Sequence, residues 1–167
     1  LATIQEKMEA KILKLAIQGK LVEQRHEEGT GEELFKLIQQ EKQKLFSEGK
    51  IKKEKTLPAI EDIEIPFEIP SSWKWVRLAQ IVYNHGQKTP DSDFSYIDIG
   101  SIDNINHRLN KDENIIKPEN APSRARKIVN KGDIVYSTVR PYLHNVAIID
   151  KDFSKEPIAS TGFAILS

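Results

Sequence analysis

Apolar positions change their period twice along the chain, giving a helical start, a proline-punctuated middle and a strand-rich end. Over residues 3–18, Ile4, Met8, Ile12 and Leu15 recur at three- and four-residue steps, the stripe of an amphipathic helix. Thr3 and Glu6 stand at capping-box spacing at its head, and Gly19 supplies a stop. The signal returns at Thr30 and Glu33, a second capping box. Leu34, Leu37, Ile38, Leu45 and Phe46 follow at helical spacing, and Gly49 closes the segment. Residues 50–70 break this period. A charge run over 50–55 leads into Pro58, Pro66 and Pro70, and proline at that density favours an extended connection. The alternation of Ile63, Ile65, Phe67 and Ile69 predicts that the connection lies along an apolar surface.

Beyond residue 70 the apolar pattern shortens to alternation or short continuous runs. It predicts strands over 75–83, 96–99, 134–139, 146–149 and 163–166, with Asn/Gly/Asp/Pro-rich loops at 84–93, 103–114 and 130–133. Trp73 and Trp75 stand beside Val76 and Leu78 and read as core rather than as base-stacking residues. The fold class is therefore α+β. An amino-terminal helical pair (1–49) is followed by a charged, Pro-containing linker (50–70) and a mostly-β domain (71–167). Two short amphipathic helices bury little surface alone, so their stripes need each other or a partner.

Charge changes this picture locally rather than globally. The chain has 25 Lys/Arg and 25 Asp/Glu, so no overall field draws it to nucleic acid or membrane. Residues 1–70 nevertheless carry a net −2 and residues 71–167 a net +2, and residues 117–145 hold six Lys/Arg against two acids. Absence of Cys removes disulfides, thiolate catalysis and the usual structural zinc sites. His26, His85, His107 and His144 are widely separated and read as surface or loop histidines, so no metal site is expected. No apolar run approaches the roughly 20 residues that span a bilayer, and no secretory segment opens the chain. A cytoplasmic protein with no membrane contact is expected.

Catalytic signatures are missing. Glu48-Gly-Lys50 precedes Pro90-Asp91, the wrong order for a restriction-type nuclease core, and reads as a charged helix end. The glycines never form G-x-G-x-x-G, and no polar-Pro-Pro-aromatic segment is present to hold a flipped adenine.

Recognition chemistry is better represented. Arg124, Arg126 and Lys127 are closely spaced cations of the kind that track a phosphate backbone. Lys131-Gly-Asp133 is a turn, residues 134–139 a strand, and Pro141 ends its pairing. Thr138, Arg140, Tyr142, His144 and Asn145 then crowd one loop with groups able to reach base edges or the adjoining phosphates. Gln87 and Lys88 lie in a second polar loop, 84–90, that either enters a groove or simply connects strands. Ser160-Thr-Gly162 either allows close backbone approach to DNA or makes a tight turn.

Four ordered blocks carry a family resemblance. They are KILKLAIQGKLVEQ, EKQKLFSEGKIKKEKTLPAI, IPFEIPSSWKWVRLAQI, and PSRARKIVNKGDIVYSTVRPYLHNVAIID with ASTGFAILS. Together they resemble the specificity subunits of type I restriction–modification systems, across nearly the whole chain. The resemblance implies a conserved helical region that packs on long helices of the same subunit and docks methyltransferase subunits. A target recognition domain for double-stranded DNA would follow, cut here inside the first of two. It further implies a non-catalytic subunit that binds no cofactor itself. Partner subunits would use S-adenosylmethionine for adenine methylation, and a motor-nuclease (restriction) subunit would use ATP and magnesium. Two alternatives stay open: a helical protein-interaction adaptor whose β domain does not bind DNA, and a self-contained DNA enzyme.

Overall fold

The computed structural model describes residues 3–52 and 55–167. Leu1, Ala2, and Lys53 and Glu54 of the charge run lie outside the described residues. Both amino-terminal helices begin where their caps dictate. In α1 (Ile4–Ile17), Thr3 Oγ1 accepts the Glu6 N–H at 3.2 Å while the Thr3 N–H donates to Glu6 Oε2 at 2.7 Å. In α2 (Gly31–Ser47), Thr30 and Glu33 repeat the exchange at 3.2 and 2.9 Å. Gly19 and Gly49 end them with φ of +66° and +70°, a left-handed turn that a side chain disfavours. Their apolar stripes remain open: Ile4 is 81 % exposed and Leu37 61 %.

The chain divides into two compact units, and the division departs from the expected 1–49, 50–70 and 71–167. Described residues within Leu1–Lys44 and Glu54–Ile81 form one unit; those within Leu45–Lys53 and Val82–Ser167 form the other. Much of the expected linker and the segment after it therefore packs with the helices. Arg77 donates to the carbonyls of Pro58 and Ala59 at 3.0 and 3.1 Å and pairs with Glu64 at 2.8 Å. The Trp73 indole N–H donates to Gln24 Oε1 at 2.7 Å, and Lys74 pairs with Glu32 at 2.7 Å. Trp75 packs edge-on to Phe67 at 5.1 Å, whereas Trp73 is 43 % exposed and only partly fits a core role.

Phe67 and Ile69 are half-buried, as the alternation predicts, but two details of this unit depart from expectation for local reasons. Residues 62–64 coil into a 3-10 turn, which breaks the two-residue period and leaves Ile63 90 % exposed. In place of a strand over 75–83 the structure has a single helical turn, α3 (Leu78–Ile81). Gln80 causes it by taking the Arg77 N–H on its side-chain oxygen at 2.9 Å. Gln39 and Lys42 of α2 then donate to the carbonyls of Gln80 and Ala79 at 2.8 and 3.1 Å, removing them from any ladder.

The second unit is built from two sheets. The first has β1 (Phe94–Ile97) and β8 (Glu156–Ser160) parallel at its centre, with β4 (Ile115–Ile116) and β5 (Ala125–Ile128) at the edges. In the second, β2 (Ile102–Asp103), β3 (Arg108–Leu109), β7 (Val146–Ile148), β6 (Ile134–Ser137) and β9 (Phe163–Leu166) follow in that order. Ile97 and Ala159 of the first sheet pack with Ile102, Val135, Ala147, Phe163 and Ile165 of the second. Successive strand residues face opposite ways, so Phe94, Tyr96 and Ile158 form a smaller cluster on the other face of the first sheet. β5 engages β8 only from Ile158 to Ser160, so Pro157 sits where the strand is edge-like and a missing N–H is tolerated.

Candidate nucleic-acid interface

Ser137 shapes the loop that follows β6. It is 1 % exposed, its hydroxyl donates to the Val139 carbonyl at 2.8 Å, and its N–H donates to the Asn145 carbonyl at 2.9 Å. These bonds close residues 138–145 on themselves. Arg140 and His144 bracket a 3-10 turn at Pro141–Leu143, and both adopt left-handed conformations, φ +53° and +52°. Such conformations cost about 1–3 kcal/mol each in non-glycine residues and persist only where the surroundings impose them. The loop presents Arg140, His144 and Tyr142 to solvent, the last 69 % exposed. Thr138 is exposed, but its N–H and hydroxyl both donate to the Gly162 carbonyl at 2.9 Å. Asn145 is different: at 6 % exposure it belongs to the loop's interior, not to its open surface.

A second group forms along β5. The Lys88 N–H donates to the Arg126 carbonyl at 2.9 Å, the Ile128 N–H to the Gly86 carbonyl at 3.3 Å, and Gln87 bridges to Lys127. The 84–90 loop therefore lies against the sheet and sets Gln87 and Lys88 beside Arg126 and Lys127. Gln87 is exposed, while Arg126 and Lys127 are half-buried. Lys88 is not a free cation. Its ammonium bonds Glu156 at 2.8 Å, which holds its pKa above the ordinary 10.5 despite partial burial, and Asp91 lies at 3.5 Å. A phosphate there would have to displace a carboxylate. Among the described residues, Arg124, Arg126, Lys127 and Arg140 have no carboxylate within ion-pair distance.

The turn between β8 and β9 joins the two groups. The Thr161 N–H donates to the Arg124 carbonyl at 2.8 Å, while Gly162 holds Thr138. Residues 160–162 thus act as a tight turn that brings the β5 cations and the 138–145 loop to one end of the unit.

One neighbour of this loop is not among the site residues expected from the sequence. Asn104, in the turn between β2 and β3, donates its amide to the Leu143 carbonyl at 3.0 Å. Asp103 organises that turn, accepting the N–H groups of Ile105 and Asn106 at 3.0 and 3.1 Å and the Asn106 amide at 2.8 Å. The Asn106 amide and these N–H groups hold the Asp103 carboxyl below the ordinary carboxylate value. The spacing Asp103-Asn104-x-Asn106 is the chemistry of an Asx turn and could have marked it.

His85 lies in a loop, as expected, and is half-buried there, 3.1 Å from Asp133 Oδ2 and 3.1 Å from both the Asn130 amide and the Ser167 hydroxyl. Asp133 is 4 % exposed and accepts the Asn130 N–H at 2.7 Å, so the cluster braces the turn before β6. No group of three or more potential metal ligands occurs among the described residues.

No protein-family model matches the chain. Two curated relatives from Escherichia coli do. The type I restriction enzyme EcoAI specificity subunit is 38 % identical over 149 residues, covering 84 % of this chain and 25 % of its own length. The EcoEI specificity subunit is 34 % identical over 140 residues, covering 78 % and 23 %. Among solved structures, the HsdS subunit from Thermoanaerobacter tengcongensis superposes with a TM-score of 0.55 at 35 % identity, over 60 % of this chain and 26 % of that one. A chain from the structure described for complex assembly and conformational transition of the type I R-M system matches to the same extent. The chain spans about a quarter of the length of the relatives it matches, and over that span it belongs to the specificity-subunit family of type I restriction enzymes.

Proposed function

We propose that this chain takes part in sequence-specific recognition of double-stranded DNA, as part of the non-catalytic specificity subunit of a cytoplasmic type I restriction–modification complex. The similarity to specificity subunits over 78–84 % of the chain carries this reading. The loop cluster is the surface that best supports it. Arg124, Arg126 and Lys127 hold phosphates, while Thr138, Arg140, Tyr142 and His144 address base edges and the phosphates beside them. Gln87 lies close enough to the β5 cations to join them. Asn145 supports the loop from inside, and Lys88 is held by Glu156. Partner methyltransferase subunits, supplied with S-adenosylmethionine, methylate adenine at the site this surface selects. A motor-nuclease subunit carries the ATP- and magnesium-dependent step, and this chain binds none of those cofactors. Among the described residues no helix is long and apolar enough to cross a membrane.

Charge reversal tests it. In the full-length protein, Arg124→Glu, Arg126→Glu and Arg140→Glu together should weaken binding to duplex DNA at least tenfold. They should also flatten the dependence of log affinity on log salt by about 0.9 for each phosphate that is no longer neutralised. Unchanged affinity and slope would favour the adaptor reading.

A further inference from the structure

The turn between β2 and β3 stands beside the 138–145 loop for two independent reasons. β3 runs parallel to β7, with Arg108 opposite Ile148, so the turn entering β3 and the loop entering β7 emerge at the same end of the sheet. The Asn104–Leu143 hydrogen bond then ties one to the other. At the tip of this turn is Ile105, an aliphatic side chain 84 % exposed. Asp103 fixes the backbone beneath it by accepting the Ile105 and Asn106 N–H groups, it also accepts the Asn106 side-chain amide, and His107 closes the turn in a left-handed conformation, φ +54°. Arg108, also exposed, has no carboxylate within ion-pair distance among the described residues.

A rigid turn that holds an isoleucine in water gains nothing from it in the free protein, but it enters a contact with little ordering cost. We infer that Ile105 is a specificity-determining residue that reads a thymine methyl group in the major groove. This inference rests on the DNA-recognition reading above. An aliphatic side chain makes no hydrogen bond, and the apolar feature that distinguishes one base edge from the others is the C5-methyl of thymine. Arg108 and Arg140, at the same end of the unit, supply cations for the phosphates alongside.

The test is selection from a pool of random-sequence DNA duplexes by the full-length protein, unaltered and as Ile105→Ala, with Arg140→Ala in parallel. Thermal melting of Ile105→Ala should match the parent, because the side chain removed is exposed. The unaltered protein should enrich a motif with a thymine at a position where Ile105→Ala shows no preference. Replacing that thymine by uracil, which lacks only the methyl, should weaken the unaltered protein about four- to tenfold and leave Ile105→Ala unaffected. If Ile105→Ala enriches the same motif with the same preferences while Arg140→Ala binds more weakly, the inference is overturned and the DNA reading stands. If the unaltered protein enriches no motif, the DNA reading falls and this inference falls with it.

Discussion

Single residues set the acid response of the β unit, and Glu113 is the clearest case. Its carboxylate accepts the hydroxyl of Ser95, a residue 1 % exposed on β1, and both the N–H and the hydroxyl of Ser154 ahead of β8. The Ser95 hydrogen bond first, then the Ser154 N–H, hold its pKa below the ordinary 4.5 against a smaller opposing effect of desolvation. A depressed carboxylate stabilises the fold above its unfolded value, and that stabilisation disappears as pH falls through the lower folded value. The urea midpoint of the full-length protein should therefore drop as pH is lowered below 4.5. Glu113→Gln should have a lower midpoint at neutral pH and a shallower decline in acid; an unchanged profile would contradict this account. Residue-scale function is only partly legible in the sequence. The sequence names cations but not their partners, so nothing in it separates Lys88, paired with Glu156, from Lys127. Asn145 reads as a recognition group because no local signal announces that its loop folds over it.

Elements are legible where their signals are local. Both capping boxes and both glycine stops lie within four residues of the ends they define, and both helices start at their caps. Strands of two residues, such as β2 and β3, have no period to detect, and Pro157 hides β8. The turn at α3 depends on α2, some 40 positions away in sequence, through bonds such as Gln39 to Gln80. No local window contains that information. Gly31 shows the same non-local control at the head of α2. Its N–H donates to the Ser72 carbonyl at 2.7 Å, and a Cβ placed on it would lie 2.8 Å from the Lys74 backbone nitrogen. Alanine normally gains about 1 kcal/mol over glycine inside a helix. Here the obstruction is backbone and cannot rotate away, and forcing an extra carbon into such a contact costs about 1–3 kcal/mol. Gly31→Ala should consequently lower the denaturation midpoint despite its better helix propensity, while an exposed-face control, Gln40→Ala, leaves it unchanged or raises it. A stabilised Gly31→Ala would show that the 72–74 segment yields.

For the molecule as a whole, the two units differ in the surface they leave open. The helical unit leaves apolar stripes in water, with Leu34 59 % and Leu37 61 % exposed, in a half of the chain carrying net −2. The β unit gathers around one loop end cations that have no carboxylate within ion-pair distance among the described residues, in a half carrying net +2. A neutral chain arranged this way has little long-range pull on DNA, and under the proposed function it would gain affinity through a small local patch. Exposed leucines at helical spacing suit another protein rather than a polyanion, since they offer no charge to a phosphate and much apolar area to a complementary surface. The two kinds of surface should therefore fail separately. In the full-length protein, Leu34→Glu with Leu37→Glu should abolish co-purification of an adenine methyltransferase from the host lysate and leave DNA affinity within about twofold, less than one buried methyl group is worth. Arg124→Glu with Arg140→Glu should do the reverse, retaining the methyltransferase while DNA affinity falls and its salt dependence flattens, as two fewer cations face the phosphates. If the leucine pair also removed DNA binding while the variant stayed folded, the helical face would itself be part of the nucleic-acid surface. If the arginine pair released the methyltransferase, the loop end would be a protein contact, and recognition of DNA would have to be sought elsewhere in the chain.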